Sequence, residues 1–120
     1  MKIVLPLPPN MANGRMHWRV KNRKRENYMQ VCTAYRSNGW TEGKRPRKPL
    51  TRATIAVTLF LHQPMDADNR MARCKWPVDW LKADGWIVDD SDKHLTWLAI
   101  PEQRVDRKNP RVEITLEAAW

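Results

Sequence analysis

The chain is poor in glycine and cysteine and has no long apolar run. Four glycines in 120 residues leave no Gly-rich loop of the kind that cradles a nucleotide phosphate. Its only cysteines, Cys32 and Cys74, lie at no metal-like spacing and are too few for a disulfide framework. They fit a reducing compartment, with both thiols packed as small apolar groups. No stretch approaches the ~20 apolar residues that a membrane helix needs. The opening run Lys2-Ile3-Val4-Leu5 breaks at Pro6, too early for the apolar segment of a signal peptide. The expectation is a cytoplasmic protein with no membrane partner. There is no internal repeat and no Ser/His/Asp signal, and His17, His62 and His94 show no ligand spacing.

Acidic residues are scarce in one half only. Residues 1–65 carry thirteen Lys and Arg against two acids, Glu26 and Glu42, whereas residues 66–120 carry nine against eleven. A basic half joined to an acid-rich half exceeds what solubility requires. It suggests one surface for a polyanion and a separate acidic pocket for metal or general-base chemistry, although a basic face can also be merely solvated. The whole is 42% hydrophobic and 29% charged, with seven tryptophans. That is the composition of one globular domain, spanning residues 1–120, with a real but modest core.

Taken along the chain, Lys2 to Leu5 reads as a first strand stopped by Pro6, Pro8 and Pro9, followed by turn residues 10–14. Next comes a dense basic run, Arg15, His17, Trp18, Arg19, Lys21, Arg23, Lys24 and Arg25. At this density cations neutralise several phosphates and make binding steeply salt-dependent. Trp18 is either a stacking platform for an unpaired base or a core residue of an ordinary basic loop. From Asn22 to Asn38, Tyr28, Met29, Cys32 and Tyr35 form a helical stripe that Gly39 can end. Residues 41–52 form a polar loop with five more cations.

Residues 54–62 read as a central strand: Ile55, Val57, Leu59 and Leu61 alternate with Thr54, Ala56, Thr58 and Phe60, and both faces are largely apolar. Residues 94–100 give a further strand. A charged loop covers 102–110, and the last strand points Val112, Ile114 and Leu116 inward. The expected fold class is therefore α+β: a small mixed sheet of about four strands packed with two helices.

Between the strands at 54–62 and 94–100 lies the most informative stretch, residues 66–90. It opens with Asp66 and Asp68, closes with Asp89 and Asp90, and holds an amphipathic segment that ends at Gly85. Asp68 or Asn69 can cap its helix. Lys75 and Asp79, seven and eleven residues after Asp68, return close to the same face at 3.6 residues per turn. Pro77 clashes with the carbonyl of Arg73, so a kink or restart is expected near Trp76. Gathered carboxylates suit Mg²⁺, which takes oxygen ligands and keeps several waters. Asp79 reads as a partner of Lys75, Asp89 as a capping or orienting neighbour of Asp90, and Asn69 as a cap or hydrogen-bond orienter.

The run Asp66-x-Asp68-Asn69, then Lys75-x-x-x-Asp79-x-Leu81-x-x-x-Gly85-x-x-x-Asp89-Asp90, resembles the signature of RusA-type Holliday junction resolvases, often encoded by phages or prophages. Pro8-Pro9-Asn10 before the aromatic-basic segment is similar to that family's N-terminal turn, and the order of elements agrees over nearly the whole chain. The stretch from Asn69 to Lys75 is longer than the family pattern by about one helical turn, which keeps Lys75 on the acidic face, with Arg73 as the alternative cation.

The resemblance implies a homodimeric endodeoxyribonuclease that resolves four-way DNA junctions by paired, Mg²⁺-dependent nicks, with Mn²⁺ as a possible substitute, in a phage or bacterial host cytoplasm. It implies Asp66, Asp68 and Asp90 as metal-binding catalytic carboxylates and Lys75 as the catalytic lysine. Asn69, Asp79 and Asp89 would orient these groups. DNA contacts are expected from Arg15, Trp18, Arg19, Lys21, Arg23, Lys24, Arg25 and Arg73. Two alternatives stay open: a branched-DNA-binding protein without catalysis, and a nuclease preferring forks or flaps.

Overall fold

A computed structural model describes residues 1–9, 17–39, 41 and 44–119. These form an α+β fold with strands β1 (Lys2–Pro6), β2 (Ala53–Leu61), β3 (Leu95–Trp97), β4 (Glu102–Val105) and β5 (Arg111–Ala118). The helices are α1 (Trp18–Ser37), α2 (Ala67–Arg73) and α3 (Lys75–Ala83). Among the described residues no helix is long and apolar enough to cross a membrane.

The sheet runs β1-β5-β2-β3, with β4 also on β2. β5 is antiparallel to both β1 and β2, whereas β3 and β4 run parallel to β2. Nine-residue β2 hosts two partners along one edge: β3 against Ala53–Ile55 and β4 against Thr58–Leu61. The expected four strands are thus five. Glu102–Val105, read from sequence as charged loop, has no apolar alternation, and it forms a strand because its main chain pairs with β2 from Thr58↔Glu102 to Leu61↔Val105. The neighbouring strand is shorter than expected, ending at Trp97 rather than Ile100.

One face of the sheet carries the core. Ile3, Leu5, Ile55, Leu59, Val112, Ile114 and Leu116 are fully buried there, with Tyr28 and Cys32 of α1 and Trp80 and Leu81 of α3 packed in the same cluster. Each such aliphatic side chain contributes about 1.5–3 kcal/mol by leaving water. The opposite face has only half-buried positions on β2, so this central strand is fully covered on one side rather than two. There Phe60 lies under the Arg111 guanidinium, 3.7 Å from its ring centre, while Arg111 also binds Glu113 at 2.7 Å and Asp106 at 3.0 Å.

The first helix begins at Trp18, about one turn before the start expected near Asn22. His17 occupies its N-cap, and Nδ1 accepts the Arg19 N–H at 3.2 Å. Its second half is anchored through buried Tyr28, whose hydroxyl donates to the Pro6 carbonyl at 2.8 Å.

The second helical segment is divided at Cys74, two residues before Trp76, near which the break was expected. Arg73 ends α2, and Pro77 sits in the first turn of α3. A helix without a break would need an N–H on Pro77 to reach the Arg73 carbonyl. Placing proline in a first turn removes that requirement. At the far end, Gly85 takes φ +85°; the Trp86 N–H reaches Leu81 O at 2.8 Å and the Gly85 N–H reaches Lys82 O at 3.3 Å. This pair of bonds is a Schellman closure, which needs a left-handed residue.

Candidate active site

Four residues separate the end of β2 from Asp66, which occupies the N-cap position of α2 in place of Asp68 or Asn69, the caps expected from sequence. Its carboxylate makes no capping hydrogen bond. The position is held by main chain and neighbours instead. The Met65 N–H donates to Gln103 Oε1 at 2.8 Å, and Arg70 clamps Met65 O at 2.8 Å and Pro101 O at 2.7 Å. Asp68 lies in the first turn of α2, where a carboxylate is favoured by the helix dipole. Half-buried Asn69 follows it.

Lys75 and Asp90 line one cleft of about 100 Å³, walled by Met71, Cys74, Val78 and Trp97. Asp68 precedes Met71 by three residues and so shares its side of α2. The cleft's apolar walls were not singled out as site residues from sequence; strand alternation puts Trp97 on the same face as buried Leu95.

The acids of this region fall into two groups. Asp79 is paired with Arg25 at 3.3 Å and Lys75 at 3.9 Å. Asp84 accepts from Arg36 at 2.6 Å and from the Trp86 indole at 2.9 Å. Asp89 meets Lys82 at 3.0 Å, a hydrogen bond that holds its carboxyl down at about 2 and raises the lysine. By contrast, Asp66, Asp68 and Asp90 are exposed and make no ion pair among the described residues.

These three aspartates do not form a closed cage. Among the described residues no group of three His, Cys, Asp or Glu is close enough to hold a metal ion. Their donor chemistry still fits magnesium, which is commonly held by one or two carboxylates and completed by waters and substrate phosphates.

The basic residues divide as well. On α1, Trp18, Arg19, Lys21, Arg23 and Lys24 are all exposed. Trp18 is 63% exposed, which removes the reading of it as core; its ring lies beside His17 and 5.3 Å from the Arg19 guanidinium carbon. Arg25 is drawn toward Asp79. Arg73 is half-buried and donates to Pro8 O at 2.9 Å, while burial lowers its pKa. Arg15 lies outside the described residues. No family model matches the chain, and no curated protein matches it.

Proposed function

We propose that the protein is a Mg²⁺-dependent, structure-specific endodeoxyribonuclease acting on branched DNA, with the four-way junction as its preferred substrate. The reading is carried by one observation: in a chain of net charge +9, the exposed carboxylates Asp66, Asp68 and Asp90 make no ion pair among the described residues, and Asp90 shares a cleft with Lys75. Unpaired acids among so many cations give up stabilising interactions, a cost with a rationale where a cation or a phosphate-bound ion is to be held.

Asp66, Asp68 and Asp90 would hold the metal, with Mn²⁺ a substitute. The ion would polarise a phosphodiester and activate water. Lys75 offsets charge developing on the phosphate oxygens, while Asp79 keeps the lysine in place. The exposed cations of α1 neutralise the DNA backbone. They stand at a helix start with no acidic residue in its first turn, an arrangement unfavourable to the isolated helix and complementary to a polyanion. A two-fold symmetric junction is most simply cut by two copies of one site, which makes the working form a homodimer.

A second reading, a branched-DNA-binding module without cleavage, is favoured by the absence of a three-residue metal group among the described residues. Nicking of an immobile four-way junction against a matched linear duplex, with Mg²⁺ and then with EDTA, separates the two. Paired cuts confined to the junction with metal support the nuclease. Tight binding without cuts in Mg²⁺ or Mn²⁺ selects the module.

A further inference from the structure

A second cleft, of about 310 Å³, lies on the other side of β3 from the candidate site and is lined by Arg52, Asp92, Lys93, His94 and Thr96. Successive strand residues point to opposite faces, so Thr96 faces this cleft while Trp97 walls the first. The turn from Asp90 to Lys93 joins the two. Because β3 is three residues long and ends the sheet order, both clefts open at one sheet edge.

The cleft is cationic and partly fixed. Arg52 and Lys93 are exposed and form no ion pair among the described residues. The backbones of Arg52 and His94 are anchored: the Ala119 N–H donates to Arg52 O, and the Ala53 N–H to His94 O, both at 2.9 Å. The His94 ring is oriented by Nδ1, which lies 2.7 Å from Thr51 O. Since a carbonyl only accepts, Nδ1 carries the proton; in that tautomer Nε2 is an acceptor and offers no hydrogen bond to a phosphate oxygen, so the ring serves as a fixed wall of the cleft. Among the described residues, Asp92 is the one carboxylate in the lining.

We propose that Arg52 and Lys93, beside the His94 ring, form a second phosphate-binding site, which grips the DNA backbone as the strand crosses the β3 edge away from the Asp90–Lys75 cleft. Arginine supplies a planar fork for phosphate oxygens and lysine a point charge. This inference rests on the nuclease reading. It adds a contact on the face opposite the candidate site, set apart in sequence from the α1 cations, and so a means of fixing strand direction across the site.

The test is junction binding by fluorescence anisotropy across a salt series, in EDTA so that no strand is cut. The variants are Arg52→Ala, Lys93→Ala, their double, Arg52→Lys, and Lys108→Ala as a control for one exposed charge in the β4–β5 loop. Each neutralised phosphate adds about 0.9 to the slope of log K on log salt. The double variant is expected to flatten the slope by about 1–2, while Arg52→Lys and Lys108→Ala keep it. A wild-type slope in the double variant, with wild-type binding intact, overturns this site and leaves the nuclease reading standing. Absence of junction binding by the wild type overturns both. A saturable shift of the His94 ring resonances with inorganic phosphate, alongside an unchanged DNA slope, assigns the cleft to a free anion and overturns the DNA contact.

Discussion

Arg25 of α1 reaches Asp79 of α3 with Nη2 3.3 Å from Oδ2, so the basic helix is tied to the same carboxylate that Lys75 approaches at 3.9 Å. One acid thus orients a cation of the proposed DNA surface and the cation of the proposed site. Because Arg25 and Lys75 are substantially exposed, the pairs are worth little in stability. Asp79→Asn is expected to cost about 0.5–1 kcal/mol in urea unfolding. Cleavage should fall more steeply, by on the order of 10-fold or more, because orienting partners commonly cost that much. Equal, small losses in both would show that Lys75 needs no partner.

Asp66, Asp68 and Asp90 are exposed and make no ion pair among the described residues, so removing their charge leaves nothing buried unsatisfied. Changing any one to Asn is expected to alter stability by less than about 0.5 kcal/mol and to lower cleavage by on the order of 100-fold or more, with junction binding equal or tighter. Lys75→Ala should lose about 100-fold in single-turnover rate. If all three Asn variants lose junction binding while remaining folded by circular dichroism, the carboxylates serve binding and the division of roles is wrong.

The inward face of the last strand, the central place of β2, the glycine closures and the neighbourhood of Lys75 and Asp79 were legible because each follows from a local period or a backbone requirement. Other features were not. Glu102–Val105 pairs through main-chain groups, and its side chains carry no alternation to announce it. Both faces of β2 look apolar in sequence, yet only the tertiary arrangement decides which face receives the helices. The start of α1 was misplaced for a related reason: Trp18 to Lys24 are exposed on every side, so no stripe marks them as helical. Asp66 and Asp68 could be placed after a strand from sequence; the sharing of one cleft by Lys75 and Asp90 depends on how α3 and the chain before β3 pack.

Gly85 tests whether the end of α3 is as constrained as its hydrogen bonds suggest. Nothing lies within 4 Å of where a Cβ would stand, so Gly85→Ala meets no clash and isolates the cost of φ +85°. That cost is about 1–2 kcal/mol, read as a lowered urea midpoint with unchanged slope. A neutral result would mean that the Schellman closure relaxes to another turn.

Titration should reveal two opposite windows. Burial pushes the Cys32 and Cys74 thiols up from 9.0 to about 12, so the folded state retains protons that the unfolded chain releases. Their contribution is complete below about pH 9 and is lost as pH rises toward 12. Asp89, held down to about 2 from 3.8 by Lys82, contributes above about pH 4, and that contribution disappears as pH falls through 2. Lys82→Ala should return the Asp89 carboxyl toward 3.8 in a carbon-detected NMR titration. Native thiols should react with a disulfide reagent only on unfolding; fast labelling at neutral pH would contradict their burial.

Trp18 provides the cleanest separation of stability from recognition. It is 63% exposed at the first position of α1, where an aromatic ring gains little from the protein's own core. Trp18→Ala is therefore expected to change the unfolding free energy by less than about 0.5 kcal/mol. A ring on which an unpaired base stacks contributes about 1–3 kcal/mol to binding, so junction affinity should weaken by roughly 5- to 150-fold. Fully paired linear duplex offers no open base and should be bound with nearly unchanged affinity. Because stacking involves no counterion release, the salt slope should also stay constant, unlike the flattening expected from Arg19→Ala or Lys21→Ala. Equal weakening toward junction and duplex would make Trp18 a general prop for the basic helix and remove it from branch recognition.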